Sequence, residues 1–221
     1  MSLPDFDPNK RARLTDTNYI NRATKGVYEL GSVFKTFTFA AGIHEGAIDP
    51  ETEFIDLEKS IKCGKNTINE YDKKIPSNLT AEQILIRSGN IGSVRIGQLV
   101  GLERFKKFMN DLSLINSIEF DIEEVGVPIS FKWGKCKLAT ASYGHGITTT
   151  ILQLANAYSI LVNGGYKIRP TLIKKNKNIK NRKILNNDVS KKINPILRKI
   201  VTTKEGTASL ANVSGYEVSG K

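Results

Sequence analysis

The sequence is short of everything that marks a metal or disulfide-rich protein. Its 221 residues hold two cysteines, Cys63 and Cys136, and two histidines, His44 and His145. The cysteines lie far apart with no C-x-x-C partner, so they define neither a disulfide scaffold nor a zinc site. Neither histidine has metal-ligand spacing. Long apolar runs are missing too: none approaches the roughly 20 residues that span a bilayer, and no signal peptide opens the chain. Negative charge is the scarcer sign, with 22 acidic against 33 basic residues and a formal charge of +11. Such an excess suits an anionic polymer or lipid headgroups as well as nucleic acid. Aromatic residues are not interleaved with the densest basic cluster, which runs from Lys174 through Lys177 and Lys180 to Lys183, and this disfavours a nucleic-acid binder. The cluster is rich in Asn and reads as a solvated loop. What remains is an ordinary folded composition, 39% hydrophobic and 25% charged, long enough for one or two domains with a sizeable core.

The stretch that organises the chain is Tyr28-Glu29-Leu30-Gly31-Ser32-Val33-Phe34-Lys35 and the apolar run after it. Gly31 allows a sharp turn, and the following residues predict a helix closing near Gly46. Ser32 then sits at a helix N-terminus, where free N–H groups and the dipole favour developing negative charge. Lys35 follows one turn later on the same face, so its amine can approach the Ser32 hydroxyl. A serine needs a neighbouring base to act as a nucleophile, and a desolvated lysine can be that base. The tetrapeptide alone has a plainer reading, an N-cap serine beside a solvated lysine, so the rest of the chain must decide.

Further along, residues 49–71 read as irregular or short-stranded, with Phe54, Ile55, Ile61 and Ile68 as anchors. Thr80 and Gln83 form a capping-box pattern that starts a helix, interrupted at Ser88-Gly89-Asn90. A second helix closes at Gly101 and a third runs from Leu102 to Met109. In the break, a hydroxyl and an amide two residues apart can face one cleft, one relaying a proton and the other fixing a lysine or a carbonyl. An ordinary helix-breaking turn is the plainer alternative. His44 reads as a favourable charge at a helix C-terminus. Residues 133–146 read as a tight glycine loop ending in Tyr143-Gly144-His145-Gly146, with His145 a loop histidine. A helix follows from about Thr149 to Asn163-Gly164-Gly165. Residues 166–170 are extended, an amphipathic helix spans 187–201 despite Pro195, and the alternation from Tyr216 reads as a strand.

Taken in this order and spacing, these pieces resemble the transpeptidase domain of class B penicillin-binding proteins. The matching segments include residues 2–9, Asn21-Arg22-Ala23-Thr24, Gly31 to Phe37 and Arg87 to Gly92. They continue through Ala141 to Gly146, Leu152 to Ala155, Asn163-Gly164-Gly165 and Ser219-Gly220-Lys221. Ser32 and Lys35 carry the S-x-x-K motif of that family. The resemblance implies an α+β fold, the helix-rich portion of the penicillin-binding protein and serine β-lactamase architecture with an incomplete β-sheet. It implies a single, incomplete domain over residues 1–221.

The function implied is peptidoglycan D,D-transpeptidation through an acyl-Ser32 intermediate, with covalent β-lactam binding. Ser32 would be the nucleophile and Lys35 its base. Ser88 and Asn90 would join the proton relay and orient the substrate, and Lys221 would open the third motif and meet the substrate carboxylate. No metal or organic cofactor is implied. Partners would be stem peptides, β-lactams and other division or elongation proteins, with the parent anchored in the inner membrane and this domain in the periplasm. Leu30 departs from the proline usual in that turn, and Gly89 occupies the tolerated middle of S-x-N. The sequence given stops at Lys221, before the second oxyanion-hole donor of that family, so we expect impaired catalysis and self-association through uncovered sheet edges. A class D-like β-lactamase, a β-lactam sensor and a non-catalytic peptidoglycan- or divisome-binding module are the competing expectations.

Overall fold

Residues Lys35–His44 form helix α1, and Lys35 through Ile43 are all buried. A helix whose small and apolar residues face every direction needs neighbours on every side, and this chain supplies them. The computed structural model describes residues 3, 5–7, 9–10, 13, 15–174 and 182–221. Among these, six more helices follow: α2 (Ala81–Ile86), α3 (Asn90–Val100), α4 (Leu102–Asp111), α5 (Lys135–Ser142), α6 (Ile151–Val162) and α7 (Asn187–Thr202). Helices α2, α3, α4 and α7 all pack against α1, and α5 packs on α3. Phe34, Phe37, Ile91, Val94, Phe105 and Ile200 meet in the resulting core, each without solvent exposure.

Strands are short: β1 (Val27–Tyr28), β2 (Glu53–Phe54), β3 (Ser60–Cys63), β4 (Asn66–Asn69), β5 (Leu79–Thr80) and β6 (Thr149–Thr150). They pair antiparallel as β1 with β6, β2 with β5, and β3 with β4, the last a hairpin that sets Cys63 opposite Asn66. Two helices start with full capping boxes, Thr80 with Gln83 and Thr150 with Gln153. Each pair satisfies backbone donors at a helix start that would otherwise have no partner.

Several expectations need correction. Cys63 and Cys136 do form a disulfide, because the β3–β4 hairpin lies against the first turn of α5 and brings the two Cα atoms within 5.4 Å. Separation along the chain says nothing about that proximity. Residues Lys135–Ser142 form α5 where the glycines suggested loop alone, since Leu138, Ala139 and Ala141 bury one side. The segment from Tyr216 is not a strand: Val218 O accepts from Arg198 and Gly220 N–H donates to Leu197 O, so α7 takes its hydrogen bonds. Ile55 is 66% exposed and anchors nothing. His44 is not a helix-end cation, because burial lowers its pKa and its Nδ1 accepts the Asn186 N–H. The core of the basic cluster, residues 175–181, lies outside the described residues.

Candidate active site

Gly31 adopts φ 57°, and the chain turns there into a 3-10 segment, Gly31–Phe34, that runs directly into α1. Ser32 is exposed in this turn while Phe34, two residues on, is fully buried. Burying Phe34 therefore fixes the turn and leaves the Ser32 hydroxyl in solvent. Lys35 is the first residue of α1 and only 1% exposed. Its ammonium donates to Ser88 O, to Ser88 Oγ at 3.1 Å and to Asn90 Oδ1 at 2.7 Å. A buried lysine needs such acceptors for its donors. Among the described residues no hydrogen bond joins Lys35 to Ser32 Oγ.

The acceptors come from the break between α2 and α3. Ser88 has φ 59°, a left-handed conformation that a serine holds at a cost. The turn is closed by Gly89 N–H donating to Ile84 O. Asn90 begins α3; its side-chain amide donates to Asn69 O at 2.9 Å, which leaves Oδ1 facing Lys35. The Glu70 carboxylate accepts the backbone N–H groups of Asn90 and Ile91, at 2.7 and 2.9 Å.

The Lys35 pKa is lowered to about 7, chiefly by burial and further by the Lys221 charge, with Glu70 opposing both. Lys221 is itself lowered to about 8 by burial, and its Nζ donates to Thr207 Oγ1 at 3.2 Å. Ser32, Ser88, Tyr71, Thr207 and Lys221 line one open cavity of about 370 Å³. Next to Ser88 in the chain, Arg87 pairs with Glu205, and the Arg87 carbonyl accepts from the Tyr71 hydroxyl at 2.8 Å. Behind the Ser32 turn, the Thr36 and Tyr158 hydroxyls hydrogen-bond at 2.8 Å. Gly144 packs against Gly31 O so closely that a Cβ would lie 1.8 Å from it. His145 stays outside, 66% exposed on its side chain and 3.5 Å from Glu29.

Of the residues singled out in the sequence, Lys35 is bonded to Ser88 and Asn90, while Ser32 and Lys221 line one cavity with Ser88. Glu70, Tyr71 and Thr207 carried no signal of their own, since no motif spacing points to them. Residues 49–71 read only as irregular or short-stranded, and Glu70 reaches the site only because the β3–β4 hairpin folds as it does. Among the described residues no group of His, Cys, Asp and Glu is placed to hold a metal ion. The arrangement presents an exposed hydroxyl at a helix start, a lysine able to give up its proton near neutrality, and a second lysine across the cleft. That is equipment for acyl transfer.

Comparison with known proteins points the same way. The sequence model of the penicillin binding protein transpeptidase domain matches residues 1–221. The chain is 34% identical over 226 residues to a probable peptidoglycan D,D-transpeptidase FtsI of Caulobacter vibrioides, an alignment covering 100% of this chain and 38% of that protein. It is 28% identical over 224 residues to a probable peptidoglycan D,D-transpeptidase PenA of Neisseria flavescens, covering 100% of this chain and 55% of that one. The chain thus spans about half or less of the length of these relatives. A crystal structure of a peptidoglycan glycosyltransferase from Burkholderia ambifaria superposes with a TM-score of 0.84 at 24% identity, over 93% of this chain and 66% of that one.

Proposed function

The chain belongs to the penicillin-binding protein transpeptidase family, and on that premise we propose that Ser32 is the nucleophile of a peptidoglycan D,D-transpeptidase. Lys35 takes the Ser32 proton as Oγ attacks the carbonyl carbon of the penultimate D-Ala of a stem peptide. The Ser32 N–H, at the start of a 3-10 turn, stabilises the oxyanion that forms. Collapse breaks the peptide bond, and the terminal D-Ala leaves as the amine after receiving the proton from Lys35 by way of the Ser88 hydroxyl. The amine of a second stem peptide then attacks the acyl-Ser32 ester, losing a proton to the same relay and freeing Ser32. A β-lactam follows the first half of this course: its ring amide opens on Ser32, and the leaving nitrogen stays attached. Asn90 holds Lys35 and faces the scissile carbonyl, and Lys221 meets the terminal carboxylate of either substrate.

The observation that carries this reading is the buried Lys35, bonded to Ser88 and Asn90 and poised at a pKa of about 7. A lysine kept in that state is a base at neutral pH, which an ordinary surface lysine is not. The disulfide supports an extracytoplasmic site of action, because such bonds persist in oxidising compartments. The parent would then present this domain outside the cytoplasmic membrane, beside its stem peptides and its division or elongation partners. No described helix is long and apolar enough to cross a membrane.

Intact-protein mass spectrometry after incubation with a penicillin tests the reading. The expected result is a single covalent adduct that Ser32→Ala abolishes. An adduct that survives in Ser32→Ala, or none with the unaltered chain, overturns it.

A further inference from the structure

We propose that Glu70 is the positioning residue of this site, a carboxylate that caps α3 from the chain just past β4 and so holds Ser88 and Asn90 on Lys35. Helix α3 begins without a side-chain cap of its own, because the residue before it is Gly89. Its first N–H groups would be left without partners. The Glu70 carboxylate takes both, with Oε2 accepting from Asn90 at 2.7 Å and Oε1 from Ile91 at 2.9 Å. A Cβ on Gly89 would lie 3.5 Å from Glu70 Oε1, so the carboxylate stands where the polar atom of a local cap would be. Negative charge at that helix end also meets the favourable pole of the dipole, and hydrogen bonds to a charged acceptor are the stronger kind.

The consequence passes through Asn90. The end of β4 grips this residue twice, its backbone N–H by Glu70 and its side-chain amide by Asn69 O. Both grips leave Oδ1 directed at Lys35. The preceding Ser88 sits in a left-handed conformation that needs outside support. Fixing the first residue of α3 fixes the last residue of that turn, and with it the Ser88 hydroxyl. Glu70 also acts on Lys35 through charge. The charged groups facing Lys35 are Lys221 from the chain segment beyond α7 and Glu70 from the end of β4; the Tyr71 ring lies 5.8 Å from its Nζ. Lys221 favours the neutral amine, and Glu70 restrains that effect.

The proposal rests on the reading of Ser32 as the acylated residue, and the test separates the two. Glu70→Gln preserves shape, supplies one acceptor in place of two and removes the charge; Glu70→Asp restores the charge on a shorter stem. Penicillin acylation rates across pH are measured on the whole chain, together with amide hydrogen exchange at Asn90 and Ile91 and the side-chain NMR titration of Lys35. In Glu70→Gln we expect faster exchange at both amides and a Lys35 titration shifted to lower pH. We also expect acylation slower by about ten- to a hundredfold, the scale of a slightly misplaced catalytic group. Glu70→Asp should return the Lys35 midpoint and part of the rate. Faster exchange with rate and titration unchanged would reduce Glu70 to a helix cap and overturn the proposal. If the unaltered chain is not acylated, the function reading fails, and exchange and titration alone decide: a Lys35 midpoint unmoved in Glu70→Gln overturns the role of Glu70.

Discussion

A lysine amine with its ordinary pKa of 10.5 would stay protonated throughout the neutral range, and Ser32 would have no base. Desolvation within the α1–α3 packing changes that, bringing Lys35 to about 7 while Lys221 stands at about 8. On the proposed mechanism, acylation requires Lys35 neutral and, for a carboxylate-bearing penicillin, Lys221 charged. The rate should therefore rise as pH passes about 7 and fall as it passes about 8, and a stopped-flow profile with a chromogenic penicillin would show this bell. Because the two lysines interact, the limbs belong to the pair. Stability carries the same signature. Between about pH 7 and 10.5 the unfolded chain binds the Lys35 proton that the folded chain has released. The unfolding free energy must therefore climb with pH in that window, by on the order of 1 kcal/mol per unit for one lysine. In Lys35→Met that share of the slope should vanish in urea titrations run at several pH values.

At the scale of elements, the 3-10 turn Gly31–Phe34 is held from below by Phe34 and from the side by the loop after α5. Gly144, with φ 91°, approaches Gly31 O where no side chain fits. Gly144→Ala should cost at least ~1–2 kcal/mol for the left-handed backbone alone. It should also displace the Ser32 turn, slowing acylation by roughly a hundredfold. A lowered thermal midpoint with an unchanged acylation rate would show that this loop does not position Ser32. The turn, α1 and the Thr80–Gln83 capping box were legible in the sequence because their signals are local: a glycine, a Thr with Gln three residues on, an apolar run. Helix α5 was not, since its eight residues carry no strong periodicity and their helical form comes from packing on α3. The chain after α7 misled for the opposite reason. Its alternation suits a strand, yet α7 rather than another strand takes its hydrogen bonds.

Across the whole molecule, the disulfide joins two regions that flank the site. Cys63 ends β3, whose hairpin partner leads into Glu70 and Tyr71, and Cys136 opens α5, which leads into Gly144. It closes a sequence separation of 73 residues, enough for about 2–4 kcal/mol by restricting the unfolded chain. The double substitution Cys63→Ser with Cys136→Ser should lower the unfolding free energy obtained from urea titration by that amount, with a lower urea midpoint. Reductant should shift the unaltered chain and leave the double variant unmoved. Equal midpoints for the two proteins would mean that the bond contributes nothing to stability.

The sequence by itself determined the order and spacing of the Ser32–Lys35 and Ser88–Asn90 motifs and of the glycine loop at Gly144. It also set the helix starts that present them, because each is a local property of a few neighbouring residues. Only the tertiary structure decided that Lys35 bonds to Ser88 and Asn90, that Cys63 reaches Cys136, and that Glu70 caps a helix from another element. Those contacts join residues up to 73 positions apart, and proximity of that kind arises from how helices and hairpins pack around α1 rather than from any spacing along the chain.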